Sequence, residues 1–201
     1  MTDLERALAD IAEVRERLAW TQRFRGYSGI AAIFSGCLAI AAGIVQALLV
    51  PDPAHTAGGR TYFAIWFLCA VAAALVNYAA IAHWFVNDAT ARDRWQTRTV
   101  GLAILPALAL GAVLSFALLE DGLLRLLPGV WYGCYGVGLL ASQAMLPRGV
   151  RPIAAAFLVT GALLLFAPAS LALAWWVPPL GFGIGQILIG AAILHERTEH
   201  R

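Results

Sequence analysis

The stretch that decides the fold is residues 13–43, EVRERLAWTQRFRGYSGIAAIFSGCLAIAAG, where a charged segment runs directly into a long apolar one. The charged part carries four arginines, Arg15, Arg17, Arg23 and Arg25. About 20 apolar residues in a helix cover the ~30 Å hydrocarbon core of a bilayer, and the apolar run extends to Leu49. The junction therefore predicts a first transmembrane helix with a basic flank, from which the later segments are interpreted.

The composition of the whole chain also indicates a membrane protein. Of its 201 residues, 61% are hydrophobic and 13% are charged, whereas soluble domains carry about 25% charged residues. The mean hydropathy is +0.75. The net charge of +2 is too small to indicate a nucleic-acid partner. We therefore expect the lipid bilayer to be the main partner of the protein surface.

Residues 1–25 are predicted to form an amphipathic helix in the cytoplasm or at the membrane interface. The first residues, Thr2-Asp3-Leu4-Glu5, have the form of a helix capping box. Apolar residues then recur at helical spacing and form one stripe, made of Leu4, Leu8, Ile11, Val14 and Leu18. The stripe can lie on lipid headgroups or on the protein's own bundle, or it can dock a second copy or a cytoplasmic protein.

The remaining apolar runs predict an all-α membrane protein with six transmembrane helices after this amphipathic helix. The transmembrane domain covers 26–194, and its spans are about 27–49, 61–86, 99–119, 126–146, 153–170 and 176–194. Residues 195–201 are predicted to be a cytoplasmic tail. The turn between the last two spans can be placed at Pro168 or at Pro178, and the sequence does not decide between them.

The distribution of arginine predicts the orientation. Cytoplasmic loops of membrane proteins are enriched in basic residues. Two of the 14 basic residues, Arg60 and Arg125, fall on one side of the predicted spans, and all others fall on the side of the termini. The sequence therefore predicts a bacterial cytoplasmic (inner) membrane protein with both termini in the cytoplasm.

Sequence patterns typical of chemistry are missing. His195 and His200 are five residues apart and do not form the HExxH motif of zinc proteases. Cys37, Cys69 and Cys134 lie in separate apolar runs without paired spacing. The sequence therefore predicts no catalytic residue, no cofactor and no metal site.

Neutral polar residues lie inside the predicted spans, whereas no acidic or basic residue lies in the central part of any span. Ion-coupled transport usually needs such an ionisable group, so it is disfavoured. Asn77, Thr160 and Gln186 lie near the middle of their spans, where amides and hydroxyls need hydrogen-bond partners. Either these residues hold helices together, or they form a small polar pocket.

Two GxxxG motifs, at Gly129–Gly133 and Gly181–Gly185, indicate where helices approach closely. Small residues let helix backbones pack where lipid provides no hydrophobic drive for association. The motifs predict close packing within one chain or between two copies.

The junction between the charged and apolar segments resembles a group of uncharacterised small bacterial multi-pass integral membrane proteins. The resemblance rests on an R-F-x-x-x-S-G pattern, here Arg23-Phe24 and Ser28-Gly29, followed by Phe34 and Gly36 in a glycine-rich first span. It covers about 25 residues and the overall architecture, and it implies a multi-pass topology without implying an activity.

The sequence favours a non-enzymatic membrane component whose N-terminal helix mediates assembly or docking. The alternative is a permease or channel for a small neutral solute, lined by Asn77, Thr160 and Gln186. A membrane-embedded enzyme is a third hypothesis.

Deletion of residues 2–20 tests the role of the N-terminal segment. We expect the deletion to change the oligomeric state or the proteins that are captured, because it removes the apolar stripe. Native mass and pull-down profiles that match those of the full chain would contradict the assembly hypothesis.

Overall fold

The computed structural model describes residues 28–54, 56–87, 89–143, 146 and 149–198. The predicted N-terminal helix and its stripe, Leu4, Leu8, Ile11, Val14 and Leu18, lie outside the described residues. The amphipathic helix therefore stays a prediction.

Most of the described residues are helical, and these ranges contain no β-strand, which confirms the predicted all-α class. The helices are α1 Gly29–Leu49, α2 Thr56–Asn87, α3 Ala91–Glu120, α4 Leu127–Ala141, α5 Val150–Phe166, the short α6 Ala169–Ala172 and α7 Gln186–Thr198. A 3₁₀ turn, Leu124–Leu126, precedes α4, and a π-helical segment, Pro179–Gly185, leads directly into α7.

Three of the helices are long and apolar enough to cross a membrane. These segments are Gly29–Leu49, Gly58–Asn87 and Arg98–Glu120, and shorter apolar helices cover Val150–Phe166 and Pro179–His195. The 15 residues of α4 span about 23 Å at 1.5 Å per residue, less than the ~30 Å of a hydrocarbon core. The structure thus supports a helical membrane protein that combines long apolar helices with shorter ones.

The helices form a ring in which most neighbours are antiparallel. Around the ring, α2 packs on α1, α1 packs on the π segment and α7, α7 meets α5, α5 packs on α4, and α4 packs on α3. Two neighbouring pairs in the ring contact each other little, α2 with α3 and α5 with α7. We call the end that contains Gly29, Asn87 and Thr198 the near end, and the end that contains Leu49 and Glu120 the far end.

Glycines set the closest helix approaches. Gly29, Gly36 and Gly43 recur every seven residues on the face of α1 that is turned to the π segment and α7. A Cβ at Gly36 would lie 2.6 Å from the Gly183 carbonyl oxygen, and one at Gly190 would lie 2.5 Å from the Gly29 carbonyl oxygen. Backbones approach this closely only where neither residue carries a side chain.

The α4–α5 contact uses the first GxxxG motif in the same way. A Cβ at Gly161 of α5 would lie 2.5 Å from the Gly133 nitrogen and 2.9 Å from the Gly129 carbonyl oxygen. In the second motif, a Cβ at Gly185 would lie 2.8 Å from the Phe157 ring. Both motifs therefore pack against helices of the same chain.

The chain between α5 and the π segment uses both proline positions. Helix α5 ends at Phe166, before the end of the predicted span 153–170, because the backbone becomes extended at Ala167 and Pro168. Pro168 then caps α6, and Pro178 caps the π segment. The connection thus occupies residues 167–176 as a bent segment with its own helical turn.

The last helix is longer than predicted at its C-terminal end. Helix α7 continues to Thr198, into the region 195–201 that is predicted to be a tail.

Replacement of Gly161 by Ala should destabilise the bundle, because the new methyl group would meet backbone atoms of α4. Overpacking of this kind costs about 1–3 kcal/mol. Gly101→Ala is the matched control, since a Cβ there would meet nothing within 4 Å. We expect thermal unfolding in detergent to shift down for Gly161→Ala only, and equal midpoints for the two variants would contradict the packing argument.

Candidate functional site

A cavity of about 640 Å³ separates α2 from α3. Its volume falls within the ~300–1,000 Å³ of small-molecule sites. It extends along α2 from Phe63 to Ile81 and along α3 from Val100 to Phe116, and α1, α4, the π segment and α7 form its inner wall. The 18 residues between Phe63 and Ile81 correspond to about 27 Å of helix, so the cavity is long and narrow.

Three phenylalanines bound the cavity at the far end. Phe63 and Phe116 lie 5.4 Å apart between ring centroids, and Phe67 lies 5.8 Å from Phe63 and 5.9 Å from Phe116. Such separations are typical of favourable aromatic contacts. Through these rings α2 and α3 contact each other at the far end of the cavity.

A first polar group lies on the near-end half of the cavity wall. The Asn77 amide nitrogen donates to Ser35 Oγ at 2.7 Å and to the Ala73 carbonyl at 2.8 Å. Ser35 Oγ in turn donates to the Ala31 carbonyl at 2.9 Å. The amide therefore joins α2 to α1 across the cavity wall. Both Asn77 and Ser35 line the cavity.

A second polar group faces the same cavity from α7 and α4. The Gln186 amide nitrogen donates to Tyr135 Oη, and both residues line the cavity. Thr160, the third residue of the predicted pocket, is half-buried on α5 and does not line the cavity. The structure thus brings Asn77 and Gln186 to one cavity, leaves Thr160 outside it, and adds Ser35 and Tyr135.

Gln186 follows an interruption in the last helix that is made by Tyr132. In an α-helix the Gly181 N–H would bond to the Val177 carbonyl, four residues earlier. Here Gly181 N–H donates to Tyr132 Oη at 2.8 Å, and that hydroxyl donates to the Val177 carbonyl. The side chain is inserted into the hydrogen-bond ladder, which is a known cause of local helix distortion. The π-helical segment Pro179–Gly185 begins at this point.

An aromatic cluster holds the inserted tyrosine and its neighbour in place. The Tyr132 ring lies 5.3 Å from that of Phe157 and 5.0 Å from that of Phe182. The Tyr135 ring contacts the same two phenylalanines at 4.9 and 5.6 Å. Since Tyr132 is 3% exposed, its hydroxyl has little freedom to leave the ladder.

Most other buried polar side chains near the far end bond to a neighbouring side chain or backbone carbonyl. Gln46 donates to the Leu173 carbonyl at 2.9 Å and accepts from the Trp66 indole at 2.8 Å. The Trp131 indole donates to Ser115 Oγ at 2.8 Å. Within the described residues, Tyr62 Oη is the one fully buried side-chain polar atom without a hydrogen-bond partner. These contacts brace the far end and involve no charged side chain.

Comparisons with protein-family models, with curated proteins and with solved structures found no match. The resemblance at Arg23-Phe24 and Ser28-Gly29 therefore stays a prediction.

Tyr132→Phe should destabilise the protein, because it removes the hydroxyl that bonds to both Gly181 and Val177. Buried backbone groups left without partners cost about 1–3 kcal/mol. Tyr78→Phe is the matched control, since Tyr78 lines the cavity and its hydroxyl has no hydrogen bond within the described ranges. We expect thermal unfolding in detergent to separate the two variants, and equal midpoints would show that the insertion is not stabilising.

Proposed function

We propose that the protein is a non-enzymatic multi-pass membrane protein that binds a neutral, mostly apolar molecule in the α2–α3 cavity. The observation that carries the proposal is the cavity itself, which lies between two helices long and apolar enough to cross a membrane. Among the described residues, its lining is apolar and aromatic apart from neutral hydroxyl, thiol and amide groups.

The lining favours a ligand without charge. Transfer of a charge into an apolar site is costly unless an opposite charge compensates it. The described lining residues include no acidic, basic or histidine side chain that could do so. The polar atoms of Asn77, Ser35, Gln186 and Tyr135 suit neutral hydrogen-bonding groups. These features support binding of an uncharged molecule.

Binding fits the cavity better than passage through an open channel. The packed rings of Phe63, Phe67 and Phe116 bound the cavity at the far end. A permease would have to separate these rings, and hence α2 and α3, during each cycle. Flux of neutral solutes into liposomes above that into empty vesicles would favour the permease hypothesis.

For the membrane topology we keep the six-span arrangement, with both termini in the cytoplasm of a bacterial inner membrane. The support is the alternation of the helices along the ring and the arginine distribution. Arg60 and Arg125 lie toward the far end, whereas Arg98 and Arg151 lie toward the near end with the termini. Basic residues favour the cytoplasmic side, so the near end would face the cytoplasm.

The N-terminal segment would then add an assembly or docking role. Because α1 begins at the near end, the preceding segment 1–25 would start on the cytoplasmic side, where its apolar stripe could meet a second copy or a cytoplasmic protein. This role is compatible with ligand binding and is tested separately by deletion of residues 2–20.

Filling the cavity tests the binding proposal. Ala74 lines the cavity on α2, whereas Ala79 is exposed on the same helix and does not line it. We expect native mass spectrometry of the full chain to show a retained neutral adduct for the unmodified protein and for Ala79→Phe. Ala74→Phe should lose the adduct, because the new ring would occupy the ligand's space.

Both variants add the same apolar group to the same helix, so differences in expression or detergent binding are matched. An unmodified protein without any adduct, or an adduct retained equally by Ala74→Phe, would contradict the proposal.

A further inference from the structure

We propose that the ligand is a lipid of the surrounding bilayer with one long apolar chain and a neutral hydrogen-bond donor, such as a hydroxyl group, as its head. The head would donate to the amide oxygen of Asn77 or of Gln186, and the chain would run along α2 and α3 toward Phe63. This inference rests on the proposed function and specifies the ligand's chemistry, source and orientation.

The need for a donor follows from two amide oxygens on the cavity wall. Asn77 and Gln186 use their amide nitrogens for hydrogen bonds. Their carbonyl oxygens accept no hydrogen bond within the described residues. Among the described residues, the one side-chain polar atom that is both fully buried and without a partner is Tyr62 Oη. The unpartnered oxygens of Asn77 and Gln186 therefore keep some exposed surface. Both residues line the cavity, so a molecule in it can reach these oxygens.

An unsatisfied acceptor is costly in an apolar environment. A hydroxyl or amide N–H of a ligand can donate to such an oxygen, whereas a ketone, ether or ester cannot. A carboxylate head is disfavoured as well, because the described lining offers no cation to compensate its charge. The two oxygens therefore select a neutral donor.

The position of the polar groups sets the orientation of the ligand. Asn77 lies four residues from Ile81, at the near-end limit of the cavity, and 14 residues from Phe63, at the far-end limit. The longer distance corresponds to about 21 Å of helix. The far-end part of the cavity is lined by aromatic rings, including those of Trp66 and Trp131. A single long chain fills such a space, with its head near Asn77 and its tail near the tryptophans.

The source of the ligand follows from the outer side of the cavity. Val71, Leu105 and Leu108 line the cavity and are also 40%, 54% and 40% exposed, respectively. The cavity therefore continues onto the apolar outer surface between α2 and α3. A lipid that enters sideways from the bilayer keeps its chain in apolar surroundings throughout, so we assign the ligand to the bilayer and not to the aqueous phase.

Tryptophan quenching in phospholipid nanodiscs tests the inference on the full chain. The probe is a straight long-chain alcohol with bromine on its terminal carbon, which would bring the quencher close to Trp66 and Trp131. The first comparison is the same alcohol with bromine beside the hydroxyl, which would place the quencher near Asn77. The second comparison is the methyl ether of the terminal bromide, which keeps the chain and removes the donor.

We expect saturable quenching by the terminally brominated alcohol, at a mole fraction about tenfold lower than for its ether, the difference typical of a lost hydrogen bond. Quenching of lipid-facing tryptophans should rise linearly with every probe and is subtracted. The alcohol brominated beside its hydroxyl should show no saturable component. Equal quenching by both bromine positions would overturn the orientation.

The double variant Asn77→Leu/Gln186→Leu should reduce alcohol binding to the level of the ether while ether binding is retained, and the two single variants identify the amide oxygen that accepts the hydrogen bond. Retained ether binding shows that the variant is folded and its cavity is open. Equal affinities for alcohol and ether in the unmodified protein would overturn the donor requirement, even if the adduct seen by mass spectrometry supports ligand binding itself. Absence of that adduct from the unmodified protein would instead count against the proposed function.

Discussion

A tyrosine hydroxyl inserted into a helix ladder is the interaction on which the rest of the site depends. In an apolar environment an unbonded backbone group costs several kcal/mol, so the ladder opens only where another group takes over both bonds. Tyr132 does so by bonding to Gly181 and Val177. A π-helical turn holds one residue more than an α-helical turn, and each added residue rotates the following helix by about 100°. The π segment therefore sets the face of α7 on which Gln186 lies, and this face is turned toward Tyr135. One buried phenolic group thus links the packing of α4 to the polar lining of the cavity.

The cavity follows from a difference in helix packing around the ring. Glycines on α1 and the last helix, and on α4 and α5, bring those backbones into direct contact. Helix α2 carries its glycines, Gly58 and Gly59, at its far end, and Gly101 of α3 has nothing within 4 Å of its Cβ position. Along the cavity, therefore, no glycine pair draws α2 and α3 together, and at the far end the two helices meet through phenylalanine rings. Close packing elsewhere and bulky side chains here have one result, which is an elongated space between two apolar helices.

Sequence reasoning identified part of the candidate site and missed part of it. The sequence points to Asn77 and Gln186, because amides in the middle of an apolar run need partners, and both line the cavity. The sequence also points to Thr160, which lies at a similar position in its apolar run, but α5 lies behind α4 and away from the cavity. Tyr135 was not identified, since an aromatic residue near a GxxxG motif has no pattern that distinguishes packing from hydrogen bonding. The sequence indicates the depth of a residue in a span and says little about the direction in which it faces.

The sequence by itself determined that the chain is helical and apolar enough for a membrane, because long apolar runs leave the backbone no other way to satisfy its hydrogen bonds in lipid. It also determined that the apolar runs predicted as spans hold neutral polar residues without ionisable groups at their centres. Only the tertiary structure decided which of these residues meet and where the cavity lies. The physical reason is that helices in lipid are apolar on every face, so hydrophobic periodicity does not reveal which face is turned inward. That choice depends on glycine contacts between helices distant in sequence and on the hydroxyl of Tyr132 in the last helix.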